Sequence, residues 1–248
     1  MFSMNARTLN AIELLATFGY TEHIDIIEPL RHGEAEVILS EPDGVLARHE
    51  CGSWFASART EALAEEIIDY IDTDEVLCTH GEVGLAMFME RLERPEVQHC
   101  YQVVLEHPVA VIGSKSTGMP SSGEFVFSPL DESHLELVIP YYHTAPPDYV
   151  LQRLQSGVML GAWSGDRLAG FIGRHVEGAM GLLEVVPEFR RRGLATALEG
   201  ELCRRLQEQG RVPYAHVFTD NEASLALQRK LGLSFATIQT HWLDKAEV

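Results

Sequence analysis

The stretch Leu182-Leu-Glu-Val-Val-Pro-Glu-Phe-Arg-Arg-Arg-Gly-Leu-Ala-Thr196 sets three arginines, a glycine and small residues between an apolar run closed by proline and an amphipathic one. That order reads as strand, turn and helix start. The first backbone N–H groups of a helix have no partner within it and lie at the positive end of its dipole, so they hold an anion where side chains leave room. Gly193 and Ala195 leave that room, and Arg190, Arg191 and Arg192 add charge in a chain whose formal charge is −18. A diphosphate suits such a cradle. Without a ligand the arginines are a solvated face that opposes the dipole, at a cost of about a few tenths of a kcal/mol.

The surrounding pattern supplies the scaffold. Phe125–Ser128 predicts a strand, and Asp131 caps a helix running to about Tyr142; a second helix covers Asp148–Gln155. Val158–Trp163 and Leu168–Arg174 form a hairpin across Ser164-Gly-Asp-Arg167, and Met180–Val186 is a strand stopped by Pro187. A long helix over Arg190–Gln209, a strand over Tyr214–Thr219, a helix over Asn221–Leu231 and a last strand over Leu233–Trp242 complete the half. Earlier, Glu36–Leu39 and Val45–His49 flank Glu41-Pro-Asp-Gly44 as a hairpin. Helices over Thr60–Ile71 and Glu82–Leu92 and strands over Val76–Thr79 and Val97–Glu106 follow. No tandem repeat or low-complexity tract is visible.

Arg190-x-x-Gly193-x-Ala195, the preceding Val185-Val186-Pro187 and the later run Asn221-Glu-Ala-Ser-Leu-Ala-Leu-Gln-Arg-Lys-Leu-Gly-Leu233 resemble the GNAT superfamily of acyl-CoA-dependent N-acyltransferases. The resemblance covers about residues 125–248, and within the superfamily the chain looks most like the two-unit proteins related to glycine N-acyltransferases. It implies an α/β (α+β) fold, a mixed and mostly antiparallel sheet flanked by helices, beside a diverged N-terminal α/β unit of related fold. It also implies acetyl-CoA (coenzyme A) as co-substrate, with no metal. The backbone of Leu183, Glu184 and Val185 would pair with the pantetheine arm at a strand bulge. Arg190, Arg191, Arg192, Gly193, Leu194, Ala195 and Thr196 would take the diphosphate, and Asn221 and Ser224 the thioester end. Asn221 is also simply a good helix cap.

Acyl transfer to an amine needs a base for the ammonium and a proton for the departing thiolate. The superfamily's glutamate position falls on Ala179 and its tyrosine on Gln228, so both roles need other residues. Glu184 at the bulge is the first candidate base, and Glu177 shares the strand face of Ala179 if alternation holds. His216, in Ala215-His-Val-Phe-Thr-Asp-Asn221, resembles a histidine that assists proton removal in protein N-terminal acetyltransferases; otherwise it is a core histidine with satisfied nitrogens. His175 reads as ordinary surface. Tyr141-Tyr-His143 either shapes an acceptor pocket or packs on the sheet. Thr79-His-Gly-Glu82 lacks a third ligand at metal-site spacing and reads as a solvated helix start.

Composition narrows the rest. The chain has 248 residues, 46% apolar and 23% charged, which is a globular composition large enough for one domain or two. Residues 1–124 carry 7 basic and 22 acidic groups, or −15, and residues 125–248 carry 12 and 15, or −3. Gly113-Ser-Lys-Ser-Thr-Gly-Met-Pro-Ser-Ser-Gly123 reads as a connection, dividing a diverged α/β domain at 1–120 from a catalytic domain at 121–248. An acidic chain is repelled by phosphate backbones and anionic bilayers, so nucleic acid and membrane are not expected partners. Cys51, Cys78, Cys100 and Cys203 are widely spaced without a Cys-x-x-Cys pair, and no apolar run reaches membrane-span length, so a cytoplasmic location is expected. The expected reading is an N-acetyltransferase acting on a small-molecule or peptide amine, a homodimer being allowed. A CoA-binding sensor without turnover and an unrelated nucleotide-binding protein are the rivals.

Overall fold

The computed structural model describes residues 4–71, 75–107 and 124–244. Asn5 caps helix α1 (Ala6–Gly19) by accepting a hydrogen bond from the Thr8 amide at 2.9 Å. A 3₁₀ turn, Thr21–His23, leads into α2 (Ile24–His32), which Gly33 closes in the left-handed conformation. The hairpin of β1 (Ala35–Glu41) and β2 (Gly44–His49) turns on Pro42 and Asp43, with Glu41 opposite Gly44. A side chain at Gly44 would collide with the Ser57 carbonyl oxygen of the next strand, β3 (Trp54–Ala58), so the ladder itself requires glycine there. The first half then runs through α3 (Glu61–Ile68), β4 (Leu77–His80), α4 (Leu85–Arg91) and β5 (Val97–Val104).

The second half opens with β6 (Val126–Leu130), a 3₁₀ turn at Glu132–His134, and α5 (Leu135–Val138). It continues with α6 (Pro147–Gln155), β7 (Met159–Ser164), β8 (Arg167–Arg174), β9 (Met180–Val185) and a 3₁₀ turn at Pro187–Phe189. The last elements are α7 (Leu194–Glu208), β10 (Tyr214–Phe218), α8 (Glu222–Leu231) and β11 (Ser234–Leu243). The order α-α-β-β-β-α-β-α-β therefore occurs twice, from α1 to β5 and from α5 to β11. No helix among the described residues is long and apolar enough to cross a membrane.

Two compact units result. The first comprises Met1–Val104, His216–Glu222 and Ser234–Val248, and the second Leu105–Ala215 and Ala223–Leu233. A seven-stranded sheet has the order β1-β2-β3-β4-β11-β5-β10, and a four-stranded antiparallel sheet the order β6-β7-β8-β9. Strand β11 lies antiparallel between β4 and β5, with Thr240 opposite both His80 and Cys100. In the first unit Leu46, Ala56, Ile67 and Phe88 form the apolar core, and in the second Val138, Val150, Phe171 and Leu182 do so.

Several expectations need correction. The N-terminal pair α1 and α2 and the strand β3 have no counterpart among the elements expected from sequence. The arginines expected to open a helix at Arg190 precede it; the helix begins at Leu194. The helix expected from Asp131 to Tyr142 is broken into a 3₁₀ turn and one short turn of α-helix, with Asp131 and His134 forming a reciprocal cap. The connection at 113–123 and the 120/121 boundary lie outside the described residues, and the units are not contiguous in sequence because the last strand packs in the first.

Beneath the second unit's surface, Glu199 of α7 is 2% exposed and accepts a 2.7 Å hydrogen bond from the Gln228 side-chain amide of α8. Burial outweighs that hydrogen bond and pushes its carboxyl up to about 7. The folded state thus binds this proton more tightly than the unfolded chain does. The associated stability is fully present below about pH 4.5 and is lost as pH rises through about 7. Glu199→Gln removes that slope: between pH 5 and 8 the wild-type melting temperature should fall by several degrees more than the variant's, equivalent to at most about 3 kcal/mol. Equal slopes in thermal melts would contradict it.

Candidate functional site

Strand β9 forms one edge of the four-stranded sheet. Its pairing with β8 runs Gly173 to Gly181 and then Phe171 to Glu184, so β9 carries an extra residue opposite Ile172. Leu182 takes up the irregularity with a φ of 51°. The bulge precedes Leu183, Glu184 and Val185, which are all half-buried on the strand's exposed stretch. Gly170 sits under this segment, where a Cβ would come within 2.7 Å of the Glu184 carbonyl oxygen. Any larger residue there would push β9 off its neighbour.

The chain then turns through Pro187–Phe189 and a loop in which Arg191 has a φ of 61° and Gly193 a φ of 76°. Only three non-glycine residues among those described have a positive φ, and two of them, Leu182 and Arg191, bracket this segment. Such backbone costs of order 1 kcal/mol per residue and concentrates where function demands it. Gly193 caps α7 without a side-chain hydrogen bond, and no acidic residue stands in the first turn, so the amides of Leu194, Ala195 and Thr196 keep their capacity to bind an anion. Thr196 is buried, and its hydroxyl accepts a hydrogen bond from Lys230 of α8 at 3.2 Å. That cation beside the helix start was not singled out from sequence, because its partner lies 34 residues away.

The three arginines have separate tasks. Arg190 donates from Nε to the Val185 carbonyl at 2.9 Å and reaches Glu184 at 3.7 Å. Arg192 pairs with Glu124 and lies over the rings of Phe125 and Phe189. Arg191 is exposed and has no side-chain hydrogen bond, ion pair or ring contact among the described residues.

Polar groups also gather behind β9. Tyr142 is 9% exposed and stands edge-on to Phe171; burial, reinforced by the charge of Glu184, pushes its phenol above the usual range. The Tyr149 hydroxyl lies 2.7 Å from His175 Nδ1, and burial with the charge of Glu177 raises that phenol too. His175 packs over Gly181, so it is not the ordinary surface residue expected. Glu177 is buried, and its carbonyl accepts a 2.6 Å hydrogen bond from the Tyr214 hydroxyl. Gln228, at the superfamily's tyrosine position, is committed to Glu199, and Ala179 is buried.

His216 and Asn221 fall in the first unit, Ser224 in the second. Asn221 is exposed immediately before α8. His216 Nε2 lies 2.8 Å from Gln102 Oε1 and 3.2 Å from Asp25 Oδ2, with its side chain 7% exposed. Asp25 is fully buried. Burial disfavours its charge, yet His80 and His216 outweigh that and hold the carboxyl below its usual range. The Thr79–Glu82 segment is likewise not a solvated helix start: Thr79 and His80 are buried in β4, and only Glu82 is exposed.

This order of elements has the fold of solved GCN5-related N-acetyltransferase-like proteins. Residues 157–243 match the family model of FR47-like proteins. A Drosophila protein of solved structure superposes with a TM-score of 0.64 at 16% identity, over 99% of this chain and 98% of that one. A GNAT-family protein from Novosphingobium aromaticivorans gives 0.54 at 17% identity over 91% and 97%, and a GCN5-related N-acetyltransferase-like protein from Streptococcus suis gives 0.55 at 14% over 95% and 99%. None of the curated proteins matches the sequence.

Proposed function

We propose that this chain is an acyl-CoA-dependent N-acyltransferase that moves an acetyl group from acetyl-CoA to a primary amine by direct attack. The observation that carries the reading is the bulged edge of β9 leading into the uncapped amides of α7. The residues present fit the co-substrate. The backbone of Leu183–Val185 offers ladder groups to the amides of pantetheine as an added strand would. The amides of Leu194–Thr196, with Arg191 and Lys230 nearby, offer positive charge to the diphosphate. Arg190 holds the strand end and Glu184 in place.

In this reading Glu184 takes a proton from the substrate ammonium, directly or through water, the amine nitrogen bonds to the acyl carbon, and the carbon–sulfur bond breaks. Tyr142, whose raised phenol stays protonated, gives the thiolate its proton and is reprotonated by the second proton that the nitrogen loses as it becomes an amide. His216 is engaged by Asp25 and Gln102, so we assign it to the first unit's interior rather than to proton removal.

The first half is then a diverged copy without a cradle. Its strands β3 and β4 pair in parallel, Phe55 opposite Cys78, where the corresponding β9 and β10 belong to different sheets. Thr60 caps α3 with its side chain, and Glu61 fills the first turn, which repels an anion. The −15 charge of residues 1–124 favours a cationic acceptor.

An amine panel containing a polyamine, an aminoglycoside and a basic peptide, monitored by free-thiol release from acetyl-CoA, tests the reading. Amine-dependent release is expected. Tight CoA binding with no release across the panel would make the chain a CoA-binding module instead, and thermal protection by ATP but not CoA would make it a nucleotide-binding protein.

A further inference from the structure

Asp25 of α2 and Cys78 and His80 of β4 converge at a point enclosed by the first unit. Residues 78 and 80 alternate along the strand and so share one face. Donor atoms of these three residues all lie within 4.8 Å of one another, and all three residues are buried. His80 Nε2 lies 2.9 and 3.0 Å from the two Asp25 oxygens, and Cys78 Sγ lies 3.8 Å from Oδ2.

The other nitrogen of His80 decides what this arrangement can hold. Nδ1 lies 3.0 Å from the Ala56 carbonyl, which can only accept, so the ring proton sits on Nδ1 and the Nε2 lone pair faces a carboxylate. Lone pair against lone pair is tolerable only with a cation between them, either a second ring proton or a metal ion. A ring fixed through Nδ1 by a backbone carbonyl, with Nε2 aimed inward, is also how proteins orient a metal-ligating histidine. His216 Nε2 approaches the same carboxylate at 3.2 Å. Gln102, whose amide nitrogen donates to the Thr21 carbonyl at 2.7 Å, turns its own oxygen toward that nitrogen. His216 thus orients the carboxylate from the outer side.

We propose that Asp25, Cys78 and His80 form a binding site for a zinc-class divalent cation, with His216 and Gln102 as its supporting residues. Thiolate, imidazole and a bidentate carboxylate give four donor atoms of the types such ions take. Loading displaces the Cys78 thiol proton and the His80 Nε2 proton into solvent. The cluster is neutral before, as carboxylate, imidazolium and thiol, and neutral after, as carboxylate, thiolate, imidazole and dication. A dry interior can therefore accommodate either state without an unpaired charge.

The site is enclosed, so the ion is taken up as the chain folds. The full-length protein is to be unfolded, stripped of metal under reducing conditions, and refolded with one equivalent of cobalt(II), the spectroscopic stand-in for zinc. One cobalt per chain is expected after desalting, with a near-ultraviolet thiolate-to-cobalt charge-transfer band and intense visible bands of tetrahedral coordination. Refolding with zinc instead should raise the melting temperature above that of the stripped protein. The charge-transfer band should persist in Cys51→Ala, which removes the exposed thiol, and disappear in Cys78→Ser. Absence of the band and of any zinc-dependent rise in melting temperature in the unaltered chain would overturn the proposal, as would loss of the band in Cys51→Ala. Those two readings stand even if Cys78→Ser does not fold.

Discussion

Glu184→Gln should lower the rate of amine-dependent thiol release by about 10²- to 10⁴-fold, the usual worth of a positioned acid or base. Affinity for CoA should stay within about twofold. The substitution keeps the shape of the side chain on β9 and leaves untouched the backbone proposed to face the pantetheine arm. What it removes is the group able to take a proton beside Tyr142. Arg190 keeps its hydrogen bond to the Val185 carbonyl, so the strand end stays anchored. Steady-state kinetics with a saturating amine, together with calorimetry on CoA, separate the two effects. A rate within about threefold of wild type would remove Glu184 from the chemistry and leave the base to another group.

An aspartate at position 195 should separate ligand binding from folding. Ala195 is the second residue of α7, in a first turn that has neither acidic residue nor side-chain cap. A carboxylate there complements the helix dipole, so Ala195→Asp should leave stability unchanged or raise it by about 0.3–1 kcal/mol. The same charge would stand where the proposed function places the diphosphate. CoA affinity should therefore drop by at least about tenfold, or roughly 1.4 kcal/mol. A variant that melts no lower than wild type yet still binds CoA with unchanged affinity would place the diphosphate elsewhere.

What could be read from sequence follows the range over which each signal acts. The hairpin at Glu41–Gly44 and the cap at Asp131 are local events in which a few residues fix the backbone, and they stand where expected. The start of α7 moved because arginine is itself a good helix former; Arg191 and Gly193 adopt left-handed backbone that propensity does not foresee. Strand β3 carries no alternation signal because its residues are buried on both faces. Long-range placement was out of reach. His80 looked like part of a polar helix start because Asp25, its partner, stands 55 residues earlier, and His216 meets the same carboxylate across 191 residues. Nor does sequence order reveal that the last strand adds itself to the sheet of the first half.

That last placement bears on how the molecule is made. Strands β4 and β5 leave the ribosome well before β11, yet neither is the other's neighbour in the finished sheet. During synthesis they must either wait with open edges or zip together and later part to admit the latecomer. The first half is therefore a poor candidate for an autonomous module, and a nascent chain stalled before its final strand would be a natural client for chaperones.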